Sequence, residues 1–321
     1  MTQVQQNRTL GASGIKVSPL GVGVWSWGEK AWGYGKGYGQ EQVQEAYQTS
    51  LEAGLNFFDS AEIYGRGNSE RLLGECVKAD GRTVVIASKF APLPNRFSPH
   101  TLMNALDASL DRLGVKTIDL YQVHWPFTFL SIDGLMDMMA LAVNQGKIRA
   151  VGVSNYNAAQ MRQAQQRLAR YNIPLASNQV HYSLLHRKPE ANGVLNACRD
   201  LNVALIAYSP LEQGLLTGKF RTTNAQIPPI DGPRRISRKF SHKARAEMEP
   251  LMNLLSEIGV ARGKTINQVA LNWLLCRDEL IIPIPGAKNK RQVLENAGAM
   301  GWQLSDDEFT RIDAAAQPWK R

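Results

Sequence analysis

The stretch GLNFFDSAEIYG, residues 54–65, changes character in its middle. Leu55, Phe57 and Phe58 suit a pleated core surface, whereas Asp59, Ser60 and Glu62 cannot enter one without partners. The run reads as a buried strand that stops on an acid, with Tyr64 five residues further on. Whether this is an accident of one strand or the habit of the whole chain decides the fold.

It is the habit of the chain. Comparable β-rich runs occupy Ser18–Trp25, Thr83–Lys89, Ile118–Trp125, Ile148–Asn155, Ala176–Val180, Ala204–Pro210 and Leu280–Gly286, alongside Leu55–Ser60 itself. Amphipathic segments fill the gaps, as in TLMNALDASLDRLG, where Leu102, Leu106, Leu110 and Leu113 recur at helical spacing. Such alternation implies parallel strands joined by crossover helices. Eight of each describe a closed α/β (β/α)₈ barrel of the TIM type better than an open doubly wound sheet. With 321 residues and no shift in composition along the chain, residues 1–321 are expected to form a single domain. Ahead of the repeat, NRTLGASGIKVS reads as a β-hairpin placed to plug the barrel's bottom. The segments Leu211–His242 and Gly28–Gly39 are too long for ordinary connections and read as functional loops at the C-terminal face. Neither contains GxGxxG between a strand and a helix, so a Rossmann phosphate turn is absent.

Hydrophobic residues make up 44% of the chain and charged ones 20%, a balance that supports a large core and excludes a disordered chain. Cys76, Cys198 and Cys276 are odd in number, widely spaced and without a CxxC pair, so neither a disulfide framework nor a thiolate metal site is expected. The start MTQVQQNRTL lacks a basic segment followed by an apolar one, and no stretch approaches the ~20 apolar residues needed to span a bilayer. A soluble cytoplasmic protein without a membrane partner is the expectation. The net charge of +9 suits nucleic acid, a membrane surface or a polyanionic small molecule. Its densest source, GPRRISRKFSHKAR at 232–245, reads either as a solvated loop entering a helix or as a phosphate-capturing loop. Nucleic acid would call for aromatics interleaved over a wider face and is not expected.

In a barrel of this kind, reactive groups sit at the C-terminal ends of the strands. Those ends carry Asp59 with Tyr64 beyond it, Lys89, His124, Ser154 with Asn155, and Gln179. Each has an ordinary structural explanation: a helix cap, a core aromatic with a wet hydroxyl, a snorkelling lysine, a satisfied core histidine. Convergence at one mouth favours chemistry. A tyrosine titrates near ~10, and a nearby ammonium favours its phenolate, so Lys89 is expected to lower the Tyr64 pKa. Asp59 would pair with Lys89, and His124 would orient a carbonyl oxygen. The set donates protons and contains no nucleophile or metal, which suits carbonyl reduction beside a bound hydride donor.

FFDSAEIYG with ASK, YQVHWP, GKIRAVGVSN, NQVHYS, YSPLEQGLLTGK and IPIPGAKNKRQVLEN, in this order and spanning nearly the whole chain, resembles the aldo-keto reductase superfamily. The resemblance implies a (β/α)₈ barrel that binds NADPH/NADP⁺ without a Rossmann fold, with Asp59, Tyr64, Lys89 and His124 as catalytic tetrad and Tyr64 as general acid. It implies that Ser154, Asn155 and Gln179 hold the nicotinamide carboxamide and that the ring stacks on Tyr208, with Trp25 also at the cofactor. Ser209, Leu211, Gln213, Gly214 and Lys219 would follow the pyrophosphate. Gly286, Ala287, Lys288, Gln292, Glu295 and Asn296 match positions around the 2′-phosphate and adenine. Many members carry arginine where Gln292 stands, so the phosphate clamp is expected to lean on Lys288, with Arg291 or Arg234 from the long loop. GPR in that loop and ALNWL before the last strand are most similar to the cyanobacterial and plant plastid branch, some of whose members reduce pyridoxal.

The expected activity is NADPH-dependent reduction of a small-molecule aldehyde or ketone, pyridoxal being one specific candidate. Two rivals remain at this level. One is a cofactor-sensing regulatory subunit of the potassium-channel β type; the other is a barrel hydrolase using Asp59 and Glu62. Trp25, Trp27, Phe90, Trp125 and Trp32 are the aromatics available to line a substrate pocket, two of them equally suited to the core. No heptad or exposed apolar stripe demands assembly beyond a monomer.

Overall fold

The structure is a computed structural model and describes residues 7–126 and 129–320. Strands β1 (Arg8–Thr9) and β2 (Lys16–Val17) pair antiparallel, forming the expected hairpin. Eight further strands form one parallel sheet in chain order: β3 (Val22–Gly23), β4 (Phe57–Asp59), β5 (Val85–Phe90), β6 (Ile118–Val123), β7 (Ile148–Ser154), β8 (Leu175–His181), β9 (Ala204–Tyr208) and β10 (Ile281–Pro283). Each overlaps one of the runs read from the sequence.

The sheet closes where β10 meets β3. A bridge joins Gly23 to Gly286. The Gly21 N–H donates to the Pro283 carbonyl (2.9 Å) and the Gly23 N–H to the Pro285 carbonyl (3.1 Å). Pro283 and Pro285 have no N–H of their own, so the last strand accepts across this seam but cannot donate at those two positions. That is why the expected runs 18–25 and 280–286 shrink to two and three residues of regular strand.

Helices surround the sheet. Thr101–Leu113 buries Leu102, Leu106 and Leu113 of the four leucines at helical spacing, leaves Leu110 half-buried, and ends at Gly114. Helices Gln40–Glu52 and Lys290–Ala297 pack together and close the outer ring. No helix among the described residues is long and apolar enough to cross a membrane.

The barrel interior has two levels. The lower is apolar: Phe57, Val85, Ala87, Leu120, Ala150, Ala204, Ile206 and Ile282 cluster with Leu10, Ile15 and Val17 of the hairpin segment, which plugs the bottom. Side chains alternate across a strand, so two residues further along the same face recurs. Phe57 is followed there by Asp59, Ala87 by Lys89 and Leu120 by Gln122, all buried. The apolar level thus gives way to a polar one. Gly152 leaves the room this requires, since a Cβ there would lie 2.8 Å from Gln122 Cγ and against Ser177 Oγ.

Strand β8 departs from simple alternation. Between the pairs Val151–Leu175 and Gly152–Ser177 the register shifts, with Ala176 as the extra residue. A bulge of this kind re-aims the side chains beyond it. Ser177 and Gln179 consequently face inward to Gln122 and Asp59, while Asn178 faces outward to the Tyr156 carbonyl.

Candidate active site

Lys89 has three N–H groups and all are used. Its Nζ donates to Asp59 Oδ2 (2.6 Å), to the Ser60 carbonyl (2.7 Å) and to the Tyr64 hydroxyl (3.4 Å). The Lys89–Asp59 pair is fully withdrawn from solvent, with side-chain exposures of 0% and 2%. Asp59 Oδ1 accepts from Gln179 Nε2 (2.7 Å) and Gln122 Nε2 (3.2 Å). A carboxylate receiving an ammonium and two amides is compensated, which a charge this deep requires.

The turn carrying Tyr64 is fastened on both sides. The Gly65 N–H donates to Glu29 Oε2 (3.2 Å). Gly65 itself has a φ of 55°, and a Cβ there would lie 2.8 Å from the Gly28 carbonyl oxygen, so glycine is needed both for conformation and for closeness. On the other side Glu62 takes Arg96 in a bidentate ion pair (2.5 and 2.9 Å) and also accepts from the Ala91 N–H. With both oxygens engaged, Glu62 is no second catalytic carboxylate, and the hydrolase reading loses its partner for Asp59.

Burial first, and the Asp59 carboxylate second, push the Tyr64 phenol well above its ordinary value. This reverses the expectation that Lys89 lowers it. Desolvation of the phenolate is the larger cause, and the nearby carboxylate acts in the same direction. Burial also lowers the Lys89 ammonium, with Asp59 opposing. His124 packs edge-on to Tyr64 with centroids 5.7 Å apart. Burial and then the Lys89 charge bring its imidazole down to about 2, so the ring is neutral at physiological pH. Its Nδ1 is buried and has no hydrogen-bond partner among the described residues. The floor of the site therefore presents a protonated phenol and a neutral imidazole.

Above this floor opens a cleft of about 1220 Å³. Asp59, Tyr64 and His124 line it, while Lys89 lies beneath. Trp25, Trp32 and Trp125 line its mouth: Trp25 stands 5.9 Å from Tyr64, Trp32 stands edge-on to Trp25 at 5.2 Å, and Trp125 lies 4.1 Å from His124, centroid to centroid. Two expected pocket residues are not there. Phe90 follows Lys89 and by strand alternation faces the helices, buried under the Arg96 guanidinium. Trp27 is fully buried against Phe58, its indole N–H donating to the Ala287 carbonyl (2.8 Å). That bond also accounts for Ala287, which is buried and does not line the cleft.

The other cofactor candidates do line it: Ser154, Asn155, Gln179, Tyr208, Ser209, Leu211, Gln213, Gly214, Lys219, Arg234, Gly286, Lys288, Gln292, Glu295 and Asn296. One end continues the floor. Asn155 donates to Ser154 Oγ (3.0 Å) and the His124 carbonyl (3.2 Å) and accepts from the Tyr208 hydroxyl (3.2 Å). The far end is cationic. Lys219, Arg234, Lys288 and Arg291 converge there, and burial, then the Arg234 charge, lowers Lys288 to about 8 and also depresses Lys219. Like charges gathered at one end of a cleft, with Arg234 and Lys288 partly withdrawn from solvent, suit an anionic ligand of phosphate type. Gln292 accepts from the Lys288 backbone N–H (3.0 Å), so it orders that segment instead of supplying the charge that arginine would. A cleft with a hydrogen-bonding floor at one end and a cation cluster at the other fits a nicotinamide dinucleotide carrying an extra phosphate.

Sequence reasoning overlooked Gln122, though counting two residues past Leu120 would have found it. It also overlooked Glu212, for which no signal stood out beyond its place in YSPLEQGLLTGK.

The model of the Aldo/keto reductase family matches residues 19–317. The chloroplastic pyridoxal reductase of Arabidopsis thaliana is 40% identical over 321 residues, covering 94% of this chain and 84% of that protein. The NADH-specific methylglyoxal reductase of Escherichia coli is 32% identical, covering 97% and 98%. Among solved structures, an aldo-keto reductase from Klebsiella pneumoniae in complex with NADPH superposes with a TM-score of 0.76 at 27% identity, covering 98% of this chain and 97% of that one. Barrel, polar floor and cleft on one side, and a family match over nearly the full length on the other, lead to one conclusion: the chain belongs to the aldo/keto reductase family.

Proposed function

We propose that this protein reduces an aldehyde or ketone with NADPH, Tyr64 acting as general acid. The observation that carries this reading is the Tyr64 hydroxyl at 3.4 Å from an ammonium locked by Asp59, at the floor of a cleft whose other end gathers cations. NADPH supplies the hydride. Tyr64, kept protonated by burial, donates its proton to the carbonyl oxygen as negative charge develops there. Lys89 then stabilises the phenolate left behind through its N–H toward the tyrosine oxygen. His124, neutral across physiological pH, orients the same carbonyl by hydrogen bonding. Ser154, Asn155 and Gln179 would hold the carboxamide, Tyr208 would back the ring, and Lys288 with Arg234 and Arg291 would take the 2′-phosphate.

For the substrate we read pyridoxal or another flat carbonyl compound. The support is the likeness to a pyridoxal reductase and the tryptophans 25, 32 and 125 at the mouth. The test is a panel of aldehydes and ketones, pyridoxal among them, followed by NADPH absorbance. Turnover confined to no member of the panel, with NADPH still bound, would point to a cofactor-sensing subunit instead. Failure to bind NADPH would overturn the reading.

A further inference from the structure

The turn after β9 is built in an unfavourable backbone. Ser209, Glu212 and Gln213 have φ values of 50°, 48° and 54°, and none is glycine. Left-handed conformations of non-glycine residues cost on the order of 1 kcal/mol each and persist only where surroundings impose them. This turn lines the cofactor cleft through Ser209, Gln213 and Gly214.

Glu212 supplies the imposing contacts. Its carboxylate is buried and shares a hydrogen bond with His181 Nε2 (2.6 Å), accepts from Ser183 Oγ (2.7 Å) and accepts from Lys239 Nζ (2.8 Å). His181 pairs with Tyr208 across the β8–β9 ladder and stacks on its ring at 5.3 Å; the His186 ring stacks on His181 at 3.9 Å. One carboxylate thus fixes both the turn and the ring that supports Tyr208. Lys239 belongs to the long basic loop, which reaches the turn a second time through Arg234 Nε, donating to the Gln213 carbonyl (2.9 Å). Although burial works against its ionised form, the donors around Glu212 hold it down at about 2, so the carboxylate is charged at every working pH.

We infer that Glu212 is a positioning residue which holds the cofactor-facing turn 209–214 in its left-handed backbone and backs Tyr208 through His181, and that Lys239 couples this hold to the docking of the loop 232–241. The inference rests on the NADPH reading above. Its consequence is kinetic: the cofactor leaves faster whenever the Lys239–Glu212 bond is broken, although neither side chain is needed to touch it.

The test measures NADPH dissociation by stopped-flow fluorescence in wild type, Glu212→Gln, Lys239→Ala and Lys239→Arg, with proteinase K digestion of the cofactor-free proteins as a second readout. Loss of a charged hydrogen bond predicts a dissociation rate raised about 10–100-fold in Glu212→Gln. Lys239 is partly exposed, so its alanine variant should show a rise of about three- to tenfold, and the arginine variant should restore the wild-type rate. Digestion within the loop 219–241 should quicken in the first two variants only. Unchanged rates in Glu212→Gln and Lys239→Ala, or an arginine variant no better than alanine, overturn the inference while wild type still binds NADPH. A wild type that fails to bind NADPH overturns the cofactor reading and this inference with it.

Discussion

The two levels of the barrel interior are made by the same strands and differ by two residues of chain. Below, Phe57, Ala87 and Leu120 meet the hairpin's Leu10 and Val17 in an apolar layer; above, Asp59, Lys89 and Gln122 form a charged one. The lower level gains stability from water-free packing. The upper level surrenders some of that gain, because a buried ion pair costs much of what it returns. The difference teaches that a barrel of this type separates its duties along its axis: one end holds the fold, the other holds charges where water would otherwise weaken them.

The sharpest break between the levels is Tyr64→Phe. General acid catalysis contributes roughly 10²–10⁴-fold, so turnover should drop by that factor while the NADPH dissociation constant stays within about twofold. Steady-state kinetics beside fluorescence titration checks this; a variant keeping most of its turnover removes Tyr64 from its role. Next is Lys89→Met, which leaves the Asp59 charge buried and unpaired. Urea unfolding should show a loss of about 3–5 kcal/mol, most of it regained in Asp59→Asn/Lys89→Met, with turnover absent from both. Equal stability of the single and double variants would mean that the pair is not what the upper level must satisfy.

Leu10→Ala probes the other end. A cavity under the plug should cost about 2–5 kcal/mol in urea, with kcat/KM unchanged within about twofold. A large kinetic effect there would break the division of duties. The smallest effect concerns the rim. Lys288→Ala should weaken NADPH about 10–100-fold and leave NADH almost untouched. The pH dependence follows in sign: Lys288, lowered to about 8, is cationic below that pH and neutral above it. A bound phosphate favours the cation, so NADPH affinity should fall as pH rises through about 8 while NADH affinity stays flat. Parallel losses for both cofactors would show that Lys288 supports the rim generally, as its bond to the Trp32 carbonyl would allow.

Much of this was legible because apolar runs ending in Asp59, Lys89, His124 and Ser154 mark both the strands and the mouth they share. What escaped notice has physical reasons. Phe90 and Lys89 are neighbours on opposite faces, so naming one as catalytic already assigned the other to the core. Trp27 lies beyond β3, in a turn where alternation gives no guide. The bulge at Ala176 leaves no compositional trace, and only the observed register shows why Gln179 reaches Asp59. The direction of the Tyr64 shift depends first on desolvation and then on how near Asp59 lies, matters of packing that residue types do not carry.

The seam between β10 and β3 makes the barrel a ring with one weak link. Hydrogen bonds there are few, and two prolines thin them further. Local opening therefore concentrates at that joint, where amide protons of Gly21 and Gly23 should exchange with deuterium sooner than those of β5 to β8. The segment just past the joint, Gly286 to Asn296, lines the cleft at its cationic end. A dinucleotide bound in this cleft would then act as a clasp on the ring, slowing exchange at the seam.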